Sequence, residues 1–351
     1  MSLASARRLI LAHGHNATAY QILNPGMAHW FSPDGAGVVG YTRRGRVLLA
    51  AGEPVCMATE LARIASDFER FAHALGCRVC YVCAESRLRQ HLGQSDRHCA
   101  VALGAQPIWN PSAWSAQLGR NPGLRAQLRR ARNKGVSIEL AAPSAARGEL
   151  ARVQREWLRS RTLPPMEFLA APSALAGMLA DRLLFVARRG CEMVAFLVAS
   201  PVRARNGYLV ELLARTPTAP NGTSELLIDR AMRHFAAGGA AFATLGLVAL
   251  AAHAKSALRA NPPWLRLLMA LARAHANRFY NFSGLERFRA KLMPQAWEPV
   301  YAIANCPRFT PAMLYAAGQA FAGISPWRAL GLGILKALGQ ELQGLRQLAQ
   351  A

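Results

Sequence analysis

The chain's 351 residues are 52% hydrophobic and 8% aromatic, which provides real cores and excludes a mainly disordered state. Lys and Arg number 42 against 19 Asp and Glu, a formal net charge of +23, so the folded body attracts a polyanion, either nucleic acid or an anionic membrane face. The length suits two ordinary domains and no apolar run reaches the ~20 residues of a membrane span.

In chain order, a hairpin is predicted from 37–41 and 47–51 across Arg43-Arg44-Gly45. A helix over 59–75 follows, with Leu61, Ile64, Phe68, Phe71 and Leu75 at helical spacing and Gly76 ending it. Strands at 78–83 and 99–103, a basic helix after Asn121-Pro122 and a closing strand at 136–141 complete a first half. Pro143 lies in a plausible boundary at 142–146. The second half repeats this grammar: two helical stretches between 148 and 183, then strands at 184–188, 193–200 and 208–213. A loop at 216–223 leads into a helix over 224–236, followed by a strand at 242–248, a basic helix over 264–278 and a strand at 299–304. The reading is α/β twice over, with domains at 1–142 and 143–305 and an amphipathic helical tail at 306–351. In the tail Leu335, Leu338, Leu342 and Leu345 form one apolar stripe.

Seven cysteines without framework spacing favour reduced thiols in a cytoplasm. Cys77, Cys80 and Cys83 alternate along one strand, with Cys77 and Cys83 on one face and Cys80 on the other, so they read as core rather than as a thiolate cluster. His13-x-His15 lacks an evident partnering cluster, and no metal site is expected.

The stretch 208–248 carries the chemistry. A helix N-terminus after Pro220-Asn221-Gly222-Thr223 presents unpaired N–H groups suited to a phosphate or a developing oxyanion, and an ordinary capped crossover helix would look the same. Gly222 permits close backbone approach, and Asn221, Thr223 or Ser224 can cap. The phosphate loop of NTPases, the dinucleotide fingerprint, the nucleophile elbow and the zinc-protease signature are all missing.

The run from Glu211 through Arg215 to Glu225, with Thr244-Leu-Gly-Leu-Val-Ala-Leu, resembles the C-terminal catalytic domain of phosphatidylglycerol lysyltransferases. The strongest match is the block from Phe279 to Tyr301; Phe31-Ser-Pro-Asp-Gly and Ala51-Gly-Glu-Pro-Val55 fit the same family, and the likeness spans residues 9 to 305. The resemblance implies two GNAT-like domains in tandem, each a mixed, mostly antiparallel sheet flanked by helices. The first would lie on the lipid-acceptor side and the second on the aminoacyl-tRNA and catalytic side. It also implies transfer of an amino acid from aminoacyl-tRNA to a hydroxyl of a membrane lipid, phosphatidylglycerol or a relative, with no cofactor and no metal. Such a protein would be cytoplasmic and peripheral on the inner face of the plasma membrane. The relatives' membrane-spanning flippase domain is absent from these residues, so flipping is not expected. The alternatives are a GNAT acyltransferase using acyl-CoA on a small amine, disfavoured by the lack of a multiple-glycine pyrophosphate turn, and a non-catalytic module binding tRNA or membrane.

Carried onto this chain, Glu211 orients the donor ammonium or accepts the proton, while Arg215, Arg289 and Lys291 serve the oxyanion and nearby phosphates. Asn221, Gly222, Thr223, Glu225 and Arg287 are the substrate-binding candidates. The family's arginine falls at Arg215 or one position earlier, where this chain has Ala214, and Arg289 replaces one of two basic residues. If 285–292 is helical, Lys291 aligns with Arg287; it converges with Arg289 only in irregular backbone.

Arg120, Arg125, Arg129, Arg130, Arg132 and Lys134 form one basic patch; a second, over 252–293, has eight Lys and Arg against the single acid Glu286. The second adjoins the catalytic stretch and is assigned to tRNA. The basic, amphipathic helix from Pro263 and Trp264 suits either a bilayer interface or packing between domains.

Overall fold

The computed structural model describes residues 2–93, 96–142, 147–161, 168–170, 181–275 and 282–322. The first half contains α1 (Leu3–His13), β1 (Ala28–Phe31), β2 (Val38–Arg44), β3 (Val47–Ala51), α2 (Leu61–Ala74), β4 (Arg78–Ala84), α3 (Ser86–Leu92) and β5 (Cys99–Trp109). Next come α4 (Trp114–Gly119), α5 (Pro122–Asn133), β6 (Val136–Ala141), α6 (Arg147–Arg159), β7 (Leu183–Arg189), β8 (Glu192–Val202), β9 (Gly207–Arg215) and α7 (Thr223–Ala237). The chain continues through β10 (Phe242–Thr244), β11 (Val248–Ala249), α8 (Lys255–Arg259), α9 (Pro263–His275), α10 (Phe282–Ala290), β12 (Ala296–Ala304) and α11 (Pro311–Ala322).

All strands join one mixed sheet in the order β1-β2-β3-β4-β12-β5-β10-β9-β8-β7-β6, with β11 on β5. Among the described residues only β3 with β4 and β9 with β10 pair in parallel, each pair joined by one crossover helix, α2 or α7. The doubled grammar is thus real at the level of strand–helix–strand units. Each helix forms because its apolar residues fall on the sheet-facing side. Leu61, Ile64, Phe68 and Ala72 of α2 are buried, as are Leu227, Ile228, Met232 and Phe235 of α7. The halves also exchange strands: β12 lies between β4 and β5, and β5 in turn pairs with β10.

Several expectations change. The strand at 136–141 does not close the first half; β6 pairs with β7 at the far edge of the sheet. The strand expected over 242–248 is two short strands, because Gly246 turns at φ +73° between them. Cys77 and Cys83 do not share a face. The β4–β12 register skips Cys83, whose φ is +63°, and this bulge turns it into the cluster that holds Cys80 while Cys77 lies in another. All three thiols are buried, and burial raises Cys83 to about 12, which makes it a poor nucleophile. In the tail, Phe309, Met313, Ala316 and Ala320 pack into the core beneath β3, so the described part docks on the body. The leucine stripe at 335–345, the second helical stretch before 183 over most of its length, and Arg278 lie outside the described residues.

Helix α1 is tied to the second half by a charged triad. Arg7 donates to both oxygens of Asp181 at 2.6 and 2.7 Å, and the Tyr20 hydroxyl donates to Asp181 at 2.7 Å. The Arg7 hydrogen bond, then Tyr20, holds the Asp181 carboxyl below the usual range against the cost of burial. A depressed carboxyl stabilises above its unfolded pKa and loses that contribution as pH falls through the folded value. The Asp181→Asn variant should therefore show a weaker fall in melting temperature than the parent between roughly pH 5 and 3.

Candidate active site

Glu211 occupies a defect in the sheet. The β8–β9 register passes from Val198 opposite Leu212 to Ala199 opposite Val210, leaving Glu211 as the extra residue of a β-bulge. A bulge re-aims the side chain it carries. Here the carboxylate meets Arg182, at the start of β7: Nε donates to Oε2 at 2.9 Å and Nη2 to Oε1 at 3.0 Å. The pair is almost sealed, with side chains 1% and 5% exposed. Arg182 also donates to Asn24 Oδ1 at 2.6 Å and lies over the Tyr20 ring at 5.0 Å, so the first half supplies part of this centre. Both carboxylate oxygens of Glu211 are thus held by one guanidinium.

Lys291 forms a second centre. Helix α10 ends at Ala290, and the Lys291 amide donates to Arg287 O at 3.0 Å as the chain turns through Met293 at φ +52°. The backbone is therefore helical and then turned, and the side chains of Arg289 and Lys291 diverge. Arg289 Nη1 donates to the Gly246 carbonyl at 2.6 Å. Lys291 Nζ bonds Glu225, in the first turn of α7, and Gln127 Oε1 of α5 at 3.1 Å. Asn121 at the N-cap of α5 donates to Lys291 O at 3.0 Å, and Trp109 Nε1 holds Leu292 O at 2.9 Å. The Lys291 side chain is thus held at its tip and 35% exposed, beside a Glu225 side chain that is 9% exposed. Such a cation can meet an anion arriving from solvent and still be held by its base.

The Asn-Gly-Thr turn packs closely against helix α5. Gly222 has φ +94°, and a Cβ there would lie 2.2 Å from the carbonyl oxygen of Gln127. The backbone packed against Gly222 belongs to helix α5. Thr223 Oγ1 bonds Pro220 O at 2.7 Å, Asn221 is exposed, and α7 has no side-chain cap. Gly222→Ala should cost about 1–3 kcal/mol in denaturant unfolding, from left-handed strain and displacement of α5. Of the other candidates, Arg215 is exposed at the end of β9, and exposed Arg287 donates to Ser283 O at 3.3 Å. Glu225 and Lys291 are brought together; Glu211 sits in the separate ion pair with Arg182.

Residues 7–304 match the family described as phosphatidylglycerol lysyltransferase, C-terminal. The chain belongs to this family. It is 24% identical over 314 residues to the lysylphosphatidylglycerol biosynthesis bifunctional protein LysX of Mycolicibacterium gilvum, covering 88% of this chain and 28% of that one. The chain therefore spans little more than a quarter of that relative's length. A solved C-terminal domain from Agrobacterium fabrum, assigned to a lysylphosphatidylglycerol synthetase, superposes with a TM-score of 0.74 at 21% identity, covering 92% of this chain and 97% of its own. L-PGS from Bacillus licheniformis superposes with a TM-score of 0.73 at 18% identity, over 91% and 96%. These two likenesses establish the shared α/β fold.

In this lysyltransferase-family chain the block from Phe282 onward is the one that seats Arg289 and Lys291, and its surroundings are basic. Helix α5 buries Leu124, Leu128 and Ala131 towards α7 and leaves Arg125, Arg129, Arg130 and Arg132 exposed. Gln127 on this helix touches Lys291, so the element that carries the first basic patch also contributes to the lysine's surroundings. Helix α9 buries Leu265 and exposes Trp264, Leu267, Leu268 and Leu271, with Leu267 63% exposed, beside exposed Arg266. Among the described residues this outer face is exposed. No helix among the described residues is long and apolar enough to cross a membrane. Sequence reading missed Arg182, Asn24 and Gln127; the one available signal was Asp181-Arg182 abutting the apolar run of β7.

Proposed function

We propose that the chain transfers an amino acid from aminoacyl-tRNA to a hydroxyl of a membrane lipid, phosphatidylglycerol or a relative, while peripheral to the inner leaflet. Besides family membership, one observation carries this: a partly exposed Lys291, fixed by Glu225 and by Gln127 of α5, a helix whose exposed residues include four arginines. In the reaction the lipid hydroxyl oxygen attacks the ester carbonyl, a tetrahedral oxyanion forms, and the tRNA ribose oxygen departs with a proton. Lys291 supplies a compact cation for the oxyanion, worth roughly a hundredfold or more in rate. Arg289, Arg215 and Arg287 supply charge for phosphates near it, and Glu211 acts through Arg182 by holding β7 against β9. The α5 arginines follow the tRNA backbone, and the apolar face of α9 with its arginine lies in the interfacial layer of the bilayer.

Purified protein with labelled aminoacyl-tRNA and phosphatidylglycerol vesicles should yield lipid-extractable label that RNase pretreatment abolishes. Label arriving from acetyl-CoA instead, or tRNA and vesicle binding without transfer to any acceptor, would overturn the proposal.

A further inference from the structure

The first half carries its own cluster of ionisable groups at the carboxyl ends of its two parallel strands. Glu53 follows β3 by two residues, and Glu85 follows β4 directly. In open α/β sheets this edge, beyond the carboxyl ends of neighbouring parallel strands, is where ligands are bound. Arg205, between β8 and β9, reaches in from the second half and stacks over Phe242 at 3.7 Å. His15, Arg87, Gln106 and Glu298 complete the cluster.

Two of the three carboxylates are satisfied. Glu85 accepts from the Ala17 amide at 2.8 Å, Gln106 Nε2 at 3.0 Å and Arg205 at 3.2 Å. Glu298 accepts from both terminal nitrogens of Arg205 at 2.9 and 2.7 Å. Glu53 is different. Its side chain is 2% exposed, and neither carboxylate oxygen has a hydrogen-bond partner; the same holds for buried His15 Nδ1 and Arg87 Nε. Those two nitrogens face Glu53 Oε1 at 3.5 and 3.6 Å, an ionic distance but too long for a hydrogen bond. A buried carboxylate without any hydrogen bond is costly, yet the backbone is shaped to hold it there. Gly52 turns at φ +72°, its amide donates to Val82 O at 2.7 Å, and a Cβ on it would lie 2.6 Å from Asn16 Oδ1. Pro54 stiffens the other side. His15 and Arg87, 28% and 18% exposed, form the rim.

The ligand chemistry follows from what would satisfy four such atoms at once. An anion would meet Glu53 and Glu85, and an ammonium would meet Arg87 and accept nothing from His15. A hydroxyl does both jobs, donating to a carboxylate oxygen and accepting from a ring or guanidinium N–H. Two adjacent hydroxyls match the two oxygens of Glu53, the same chelation by which a carboxylate holds a ribose diol. We propose that Glu53, with Arg87 and His15, binds the vicinal diol of a polyol. His15 therefore gains the acidic neighbours that its sequence context did not reveal, for hydroxyl rather than metal binding; among the described residues no cluster of His, Cys, Asp and Glu has metal-holding geometry.

Naming the polyol rests on the lipid-transfer reading, because a diol reaches this protein from two sources: the terminal glycerol of the acceptor headgroup or a nucleoside ribose. Titration calorimetry of the full chain with glycerophosphoglycerol and, separately, with adenosine distinguishes them. Binding of either compound that weakens at least tenfold in Glu53→Gln, with an unchanged melting temperature, supports the diol site and identifies its source. Arg87→Gln, at the rim, should weaken the same compound by a smaller factor and serves if Glu53→Gln does not fold. Absence of binding by both compounds, or equal binding to parent and variants, overturns the proposal. These assays need no catalysis, so a chain that binds a diol through Glu53 but transfers nothing overturns the transfer reading alone.

Discussion

Lys291→Ala loses aminoacyl transfer by roughly a hundredfold or more while its far-UV spectrum and cooperative unfolding are retained. The ammonium it removes is the partner of Glu225, which is 9% exposed in the first turn of α7. Loss of that partner leaves a poorly solvated carboxylate, compensated only by the helix dipole and by Gln127's neighbourhood, so stability falls by about 1–3 kcal/mol. The two effects separate in a second variant. Adding Glu225→Gln removes the orphaned charge, and the double variant should regain most of the stability and none of the transfer. Denaturant midpoints and lipid-extracted label are the two readouts. Return of transfer in the double variant would reduce Lys291 to a structural cation and sink its assignment to the oxyanion.

The largest stability effect is expected at the other ion pair. Arg182→Ala leaves Glu211 buried beside an apolar sheet with no counter-charge, and breaking such a pair from one side costs about 3–5 kcal/mol. The guanidinium also supplies Asn24 with a 2.6 Å hydrogen bond and covers the Tyr20 ring, so the first half loosens with it. Replacing both partners by apolar residues, Arg182→Met with Glu211→Leu, removes the uncompensated charge, and that double variant should unfold within about 1 kcal/mol of the parent. Urea unfolding decides: an Arg182→Ala loss below about 1 kcal/mol would mean that solvent reaches Glu211 and that the pair does not clamp the halves.

The contrast between these two pairs shows how far local reading reaches. The helices α2 and α7 were legible because their apolar residues recur with helical period, and the turn before α7 because Pro-Asn-Gly-Thr admits few conformations. Lys291 and Glu225 were both picked out, yet nothing in their flanking residues says that they touch. The rigid neighbour that holds Lys291, Gln127, is 164 positions away, and Asn24 is 158 from Arg182. The bulge that aims Glu211 was equally hidden, since an unbroken strand and a bulged one carry almost the same alternation over nine residues. At Gly222 the sequence indicated a glycine suited to close backbone approach; that the backbone packed against it belongs to helix α5 depends on residues about ninety positions earlier.

Charge followed the same rule. By itself the amino-acid sequence determined the net +23, the two basic stretches, the doubled strand–helix–strand grammar and the block that marks the lysyltransferase family. These depend on composition and on spacings of a few residues, which survive without knowledge of the fold. Tertiary structure alone decided that β5 and β12 are exchanged between halves and that α5 brings Gln127 to Lys291. It also decided that Glu53, His15 and Arg87 face one another. Each of these is a contact between segments whose separation is set by sheet order, and sheet order is chosen by the burial of whole faces rather than by any short run of residues.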